Sequence, residues 1–242
     1  MATRTQRVLA RTALAVLATS LVTGCSEEDD GFAALGEREM ERIVIRDMKA
    51  LESVRMSGAS SPDKDKVTLD LVLTSRGDCT GKIAFDRAEI NYRQVDGTTY
   101  VQGNRAYWQE TAGSAQAAQQ VLSVVGDKWA RMPESGTGLA TFCDIDDFMR
   151  EFKTDRKATG DDKTVTTVGE VSEVDGVDAV EVITKKGQET TVTWVAVESP
   201  HVVLRIESAG GDAPGSFRLD GFDESVEVAA PAADEVVDLG SL

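Results

Sequence analysis

The chain has 242 residues, with 42 Asp and Glu against 26 Lys and Arg and a formal net charge of −16. This length fits a single domain that buries a substantial core. The acidic excess argues against nucleic acid as a partner, because phosphates are bound by Lys and Arg. It also argues against a domain that lies flat on an anionic membrane surface, which attracts basic segments.

The N-terminus has the pattern of a secretory signal. A basic segment with no acid precedes an apolar run over residues 13–22, which is shorter than the roughly 20 residues that span a bilayer. The basic residues are Arg4, Arg7 and Arg11. The run ends in Leu21-Val22-Thr23-Gly24-Cys25, which resembles the bacterial lipobox, where the cysteine is acylated and becomes the mature N-terminus.

The lipobox resemblance implies that residues 1–24 are removed and that a lipid on Cys25 anchors the chain to the extracytoplasmic face of the cell membrane. Removal takes away three arginines and no acids, so the formal charge falls from −16 to −19. Residues 25–31 include four consecutive acids and predict a solvated, self-repelling tether. The alternative is an ordinary secretory signal that happens to contain a cysteine.

Residues 32–54 predict an amphipathic helix. Apolar residues recur at spacings of three and four, and charged residues occupy the opposite face. The apolar positions are Met40, Val44, Met48 and Leu51, with Ile43 and Val54 beside them. Gly58 and Ser60-Ser61-Pro62 are expected to end this helix.

From residue 67 the apolar period changes to two, which predicts strands with one apolar face. Four strands over residues 67–74, 82–85, 88–93 and 98–102 form a predicted antiparallel meander, and Asp96-Gly97 is a strong hairpin signal. The apolar positions of the first three strands include Leu69, Leu71, Leu73, Ile83, Phe85, Ile90 and Tyr92.

The middle of the chain predicts helices. Ser114 is a plausible N-cap for a helix over residues 114–125 that stops at Gly126. A short apolar piece, residues 128–132, ends at Pro133, and residues 144–152 predict another helix. Its acids could suggest a calcium loop, but Met149 occupies the sixth position, where such a loop requires Gly. Acids in the first turn of a helix are explained by the helix dipole.

Five further strands are predicted over residues 164–174, 178–184, 190–197, 202–208 and 216–222, because turn signals separate them at the spacing of an antiparallel sheet. Residues from Pro231 to the C-terminus are predicted to be a weakly structured tail. A single domain is therefore expected over residues 32–230, followed by a tail over residues 231–242.

With Cys25 assigned to the lipid, Cys79 and Cys143 remain, and an extracytoplasmic location favours a disulfide between them. Such a bond is expected to pin the N-terminus of the helix at Asp144 to the edge of the meander. The alternative is two free buried thiols. A metal site is not predicted, because zinc takes four Cys or His ligands and the chain has a single histidine, His201.

The common catalytic motifs are absent from the sequence, including the nucleophile elbow, the zinc-protease helix, the Walker A loop and the dinucleotide fingerprint. His201 lies in a turn before a strand, where a lone histidine is more often structural than catalytic. No catalytic residue and no cofactor is predicted, although paired carboxylates among 42 acids remain an open alternative.

The order of these elements resembles the LppX/LprG-type lipoproteins of actinobacteria. The segments that carry the resemblance are the lipobox, the amphipathic helix, Val95-Asp96-Gly97-Thr98-Thr99-Tyr100-Val101, Lys128-Trp129-Ala130-Arg131-Met132 and Ser216-Phe217-Arg218-Leu219-Asp220-Gly221-Phe222. The resemblance implies a LolA-like α+β fold, in which a strongly curved antiparallel sheet, or half-barrel, holds helices in its concave face. It also implies an apolar cavity between sheet and helices that takes the acyl chains of lipids or glycolipids.

On this interpretation the protein binds or carries a lipid or glycolipid. The expected cavity residues are Met40, Val44, Met48, Leu51, Leu69, Leu71, Leu73, Ile83, Phe85, Ile90 and Tyr92. The same apolar faces could instead form a tightly filled core, because periodicity does not distinguish the two. The protein would then be a ligand-free envelope sensor or a protein-interaction module with an unknown partner.

Overall fold

The computed structural model describes residues 30–62, 65–133, 143–145, 149 and 163–241. The described residues form four helices and one sheet of twelve strands. The helices are α1 Asp30–Ala33, α2 Glu37–Ala50, α3 Arg105–Thr111 and α4 Ala115–Val125. The strands are β1 Ser53–Ser60, β2 Val67–Thr74, β3 Cys79–Phe85, β4 Ala88–Val95, β5 Thr98–Gly103, β6 Trp129–Arg131, β7 Thr164–Val174, β8 Val177–Lys186, β9 Glu189–Ala196, β10 Val203–Ala209, β11 Gly215–Asp220 and β12 Val236–Asp238.

The strands lie in the order β12-β6-β5-β4-β3-β2-β1-β11-β10-β9-β8-β7. Neighbouring strands are antiparallel except for β12 and β6, which run parallel. The predicted meander is confirmed as β2–β5, and the five predicted C-terminal strands are confirmed as β7–β11. Asp96 and Gly97 have φ of 49° and 74°, which is the backbone that a two-residue hairpin turn requires.

The first predicted helix is too long. The structure has α1, a turn and α2, which ends at Ala50, and residues 53–60 form the strand β1. Val54 and Met56 are buried while Arg55 between them is exposed, a period of two rather than of a helix. β1 pairs with β2 on one side and with β11 on the other, so it joins the two meanders into one sheet.

The prediction of a weakly structured tail is wrong. The chain crosses from β11, in the interior of the sheet, to one edge, where β12 pairs with β6 over Val236↔Trp129 to Asp238↔Arg131. Residues 128–132, predicted only as a short apolar piece, contain β6. The Lys128 ammonium donates to the carbonyl of Asp234 at 2.9 Å, which ties the crossing segment to this edge.

Helix α4 begins at the predicted N-cap, where the Ser114 hydroxyl accepts the backbone N–H of Ala117 at 3.1 Å, and ends at Gly126. Of the helix predicted over residues 144–152, only Asp144, Ile145 and Met149 are among the described residues, and Ile145 and Met149 are buried.

Buried residues of α1, α2, α3 and α4 belong to the same apolar core as one face of the sheet. The helices therefore cover a single face, here called the inner face, and this confirms the predicted α+β architecture. Side chains alternate between the faces of each strand, so Leu69, Leu71 and Leu73 point inward and Thr68 and Asp70 point outward.

Candidate lipid-binding region

The residues predicted to line a cavity are brought together on the inner face and on the helix that covers it. Ten of the eleven are buried, and Phe85 is half-buried against the same cluster. Leu71 on β2 lies opposite Met56 on β1 and opposite Gly81 on β3, and Gly81 lies opposite Tyr92 on β4. This row across the strands contains Leu71 and Tyr92, which were predicted to line a cavity, and Met56 and Gly81, which were not.

Glycines on the inner face leave room for aromatic rings. A Cβ on Gly58 would lie 2.7 Å from Cδ1 of Phe217 and closer still to the carbonyl oxygen of Ser216. A Cβ on Gly103 would lie 2.9 Å from Cγ of Tyr107, on α3. These positions bring a ring against bare backbone, which is how a sheet accepts large side chains on a crowded face.

Helix α2 is fixed to the sheet by polar contacts around an apolar stripe. Met40, Val44 and Met48 are buried, and the Met48 sulfur accepts the backbone N–H of Val203 at 3.3 Å. Asp47 is 8% exposed. Its carboxylate accepts the backbone N–H of His201 at 3.0 Å and the Arg46 side chain at 2.7 Å, so the buried charge is satisfied.

His201 has a structural environment. Its ring stacks on Phe32 of α1 with 3.8 Å between centroids and 5° between planes, and its Nδ1 donates to the carbonyl of Ala196 at 3.2 Å. These contacts hold α1 against the loop between β9 and β10. Among the described residues no three His, Cys, Asp or Glu side chains form a group that could hold a metal ion.

The core is filled around the central predicted residues. Met48, Leu71 and Tyr92 each have 0% of their surface accessible, so protein atoms surround them on all sides. Burial raises the pKa of the Tyr92 phenol above its ordinary value, and it does the same for Tyr107. An acyl chain could reach these three residues only after the groups that cover them moved.

Helix α4 packs chiefly against α3 and not against the sheet. It carries no charged residue, in a chain in which 28% of residues are charged. Val124 on this helix is 47% exposed, and Val121 and Leu122 are partly buried at the margin of the core.

Sequence reasoning missed the part of the core that comes from the C-terminal strands. Its members include Val180, Val195, Val203, Ile206 and Leu219. Ile206 and Leu219 do alternate with charged residues, but Val195 and Val203 have apolar neighbours on both sides. The candidate residues were chosen only from the first meander and the first helix. Trp108 and Tyr107 of α3 are also core residues that no periodic pattern marked.

The disulfide between Cys79 and Cys143 is present, with a Cα–Cα distance of 5.4 Å. Its expected position at the edge of the meander is wrong. Cys79 begins β3, which lies between β2 and β4 in the interior of the sheet, and both cysteines are fully buried in the core. The bond therefore ties Cys143 to the inner face at the start of β3, an interior strand of the sheet.

A second concavity lies on the outer face of the first meander. It is a cleft of about 530 Å³ lined by residues of β2, β3, β4 and β5 together with Asn104 and Asp127. Its floor includes a cross-strand row in which Asp70 lies opposite Lys82, Lys82 opposite Asn91, and Asn91 opposite Gln102. The cleft and the apolar core are on opposite faces of the same strands.

One end of this row is an ion pair. Arg55 on β1 donates to both carboxylate oxygens of Asp70, at 2.8 and 2.7 Å. The hydrogen bonds from Arg55 are the largest effect on Asp70 and lower its pKa. Burial opposes them, and the charges of Arg55 and Lys82 add smaller effects that also lower the pKa. Asp70 is therefore held in its ionised form beside Lys82.

No helix of the described residues is both long and apolar enough to cross a membrane.

Comparison with solved structures gives the fold. The chain is similar to the lipoprotein LppX of Mycobacterium tuberculosis, with 11% identity, a TM-score of 0.52, and coverage of 80% of this chain and all of that one. It is similar to LprF of Mycobacterium bovis, with 12% identity, a TM-score of 0.53, and coverage of 81% of this chain and 98% of that one. No protein-family model and no curated protein sequence matches the chain.

The chain has the fold of these mycobacterial lipoproteins, and the resemblance drawn from short sequence motifs is confirmed at the level of the fold.

Proposed function

We propose that the protein is a membrane-anchored extracytoplasmic lipoprotein that binds or carries the acyl chains of a lipid or glycolipid between its sheet and its helices. The observation that supports this best is the single inner face, where all the predicted cavity residues gather under helices in an LppX-like fold. Removal of an acyl chain from water contributes about 0.8 kcal/mol per methylene to binding, so an acyl chain can bind favourably without any polar contact.

The filled state of the core requires a moving part, and α4 is the element best suited to that role. It rests mainly on α3, its exposed surface is uncharged, and its apolar residues border the core. Displacement of α4 would expose the core without breaking any pair of the sheet. An uncharged surface would also approach a lipid bilayer without the repulsion that the acidic remainder meets at an anionic membrane.

The direct test is native mass spectrometry of a non-acylated form that lacks residues 1–25, purified from cells of its own source, together with titration of a fluorescent fatty acid. The proposal expects a co-purified lipid and saturable binding. Absence of both would contradict lipid binding.

The role of α4 can be tested with a matched pair of exposed valines, since Val124 and Val165 are each 47% exposed. Val124→Glu places a charge on α4 and should slow transfer of the fatty acid from vesicles. Val165→Glu on β7 should leave transfer unchanged. Equal effects of the two variants would exclude α4 as the entry element.

Acylation at Cys25 is a separate proposal. Cys25→Ser should abolish the lipid-dependent mass increase of the mature N-terminus and release the protein from the membrane fraction. Retention of the serine variant in that fraction would contradict the anchor.

A second candidate function is a ligand-free sensor or protein-interaction module, which the full burial of Met48, Leu71 and Tyr92 favours. It would be preferred if the native mass spectra contain only protein and the fatty acid does not bind.

A further inference from the structure

We infer that the outer-face cleft is a binding site for a neutral saccharide. This inference goes beyond the proposed lipid binding and uses the other face of the sheet. The cleft has a volume of about 530 Å³, which lies within the roughly 300–1,000 Å³ of small-molecule sites. Its floor lies on regular strands, which position side chains more accurately than loops do.

The floor carries a short chain of oriented amides. The Asn91 Nδ2 group donates to Oε1 of Gln102 at 2.9 Å, and Nε2 of Gln102 donates to the carbonyl of Asp127 at 2.6 Å. These bonds fix both side chains on the cleft floor before any ligand arrives. Each amide has further hydrogen-bonding capacity, since Asn91 keeps its Oδ1 acceptor and both amides keep a second N–H.

Adjacent donors and acceptors in fixed positions match the hydroxyl groups of a sugar ring, each of which both donates and accepts. The row Asp70, Lys82, Asn91 and Gln102 places such groups on neighbouring strands, with Cβ atoms about 4.5–5.5 Å apart. A ligand that forms hydrogen bonds with several of these groups obtains little affinity from any one of them. The arrangement of the groups selects ligands by their pattern of hydroxyls.

The charges around the cleft favour a neutral ligand over an anionic one. Among the described residues that line it, Asp70, Glu89 and Asp127 are acidic and Lys82 is the one cation. Arg55 outside the cleft neutralises Asp70, so the remaining charge of the lining is about −1 on a chain that is itself strongly acidic. Phosphates and uronic acids would be repelled.

The site lies on the opposite side of the sheet from the apolar core. Leu69, Ile83 and Ile90 also line the cleft. They are buried members of the core, and their side chains point inward by strand alternation, so the sheet backbone divides the two regions. A lipid whose chains occupy the core therefore cannot place its own headgroup in the cleft through the sheet. The ligand is a glycan, either free or on another molecule, that reaches the outer face from solvent.

The test is a heteronuclear NMR titration of the domain without residues 1–25 against maltotriose, mannotriose and galactotriose, with trigalacturonate, inorganic phosphate and spermidine as charged probes. At least one neutral trisaccharide should shift the amide and side-chain resonances of β2–β5, while the anionic probes should bind at least about tenfold more weakly. Absence of shifts in the cleft with all three neutral sugars, or shifts with spermidine alone, would overturn the inference.

Two glutamine variants provide a matched comparison. Gln102→Met keeps the length of the side chain and removes both hydrogen bonds, so it should weaken saccharide binding at least about tenfold. Gln116→Met on the exposed surface of α4 should leave it unchanged. Equal affinity of the two variants would overturn the inference.

Fatty-acid binding by Gln102→Met should equal that of the unmodified domain, so that failure of the saccharide site and failure of lipid binding are distinguishable.

Discussion

At the scale of single residues, Gly58 shows how closely the inner face is packed. It lies on β1 opposite Phe217 of β11 and Leu69 of β2, where a Cβ would collide with backbone as well as with a ring. Gly58 does not have a positive φ, so a larger residue here is disfavoured by steric overlap and not by the backbone conformation.

We expect Gly58→Ala to lower the free energy of unfolding by at least about 1–3 kcal/mol, the usual cost of overpacking, because the nearest atom is a carbonyl oxygen that cannot rotate away. Gly31→Ala is the matched control, since a Cβ there would meet nothing within 4 Å. Urea denaturation measures both. A Gly58→Ala midpoint equal to that of the control would show that β1 and β11 separate more easily than their packing indicates.

Two buried phenols set the response of the protein to alkaline pH. Burial raises the pKa of Tyr92 and of Tyr107 in the folded state. A group whose folded pKa is raised contributes stability that is fully present below its unfolded pKa, about 10 for tyrosine, and that is lost as pH rises through the folded pKa.

The free energy of unfolding should therefore fall as pH rises above about 10, and the fall should be smaller in Tyr107→Phe and in Tyr92→Phe. The Tyr92 hydroxyl also donates to Gln94, so its phenylalanine variant should lose some stability at neutral pH as well. Denaturation midpoints at several pH values measure this. A variant with the same alkaline slope as the unmodified protein would contradict the assignment for that residue.

At the scale of elements, the Cys79–Cys143 bond joins β3 to a segment 64 residues further along the chain. Its closure of a long loop restricts the unfolded chain and, in the chain-entropy model, contributes about 4 kcal/mol. The Cys79→Ser/Cys143→Ser double variant should lose an amount of this order in chemical denaturation. The same measurement on the unmodified protein with and without reductant is the control. A double variant as stable as the oxidised protein would show that the inner face does not depend on the bond.

The elements that were predicted correctly are those whose signals are local. Asp96-Gly97 fixes a hairpin, Ser114 and Gly126 bound a helix, and Leu69, Leu71 and Leu73 identify an inner face. The predicted cavity residues of the first meander were placed correctly on one face for the same reason.

The elements that were missed depend on partners far away in the chain. Val54 follows Met48 and Leu51 at three-residue spacing, so the sequence continued a helical pattern through what is the start of β1. Residues 53–60 pair with the neighbouring strand β2 on one side, and their other side pairs with β11, which is more than 150 residues later. Likewise, Val236 and Val237 form a strand only because β6 offers an edge to them. The outer-face cleft is formed by registers across four strands, which alternation alone does not determine.

At the scale of the whole molecule, charge is distributed unevenly between apolar interior and acidic surface. The chain without residues 1–24 has a formal charge of −19. Repulsion among these charges opposes the compact state, and salt shortens its range to about 10 Å at 0.1 M ionic strength.

Thermal stability of the domain without residues 1–24 should therefore increase as ionic strength rises from a few millimolar to about 0.1 M. Differential scanning calorimetry in sodium chloride measures the change, and an uncharged osmolyte at equal osmolality is the control. A melting temperature that falls with salt would indicate that ion pairs such as Arg55–Asp70 outweigh the general repulsion.

The central position of β1 also determines when the protein can fold. The backbone N–H of Glu52 donates to the carboxylate of Asp223, a contact across 171 residues, and the pairing of β1 with β11 depends on contacts of similar span. Contacts of such long range form slowly, because closing a long loop costs the chain conformational entropy before the contact contributes any stability. The two meanders therefore remain unjoined until almost the whole chain is available. A chain synthesised from its N-terminus keeps the middle of its sheet open, with an unpaired strand edge on each meander, until β11 has been made.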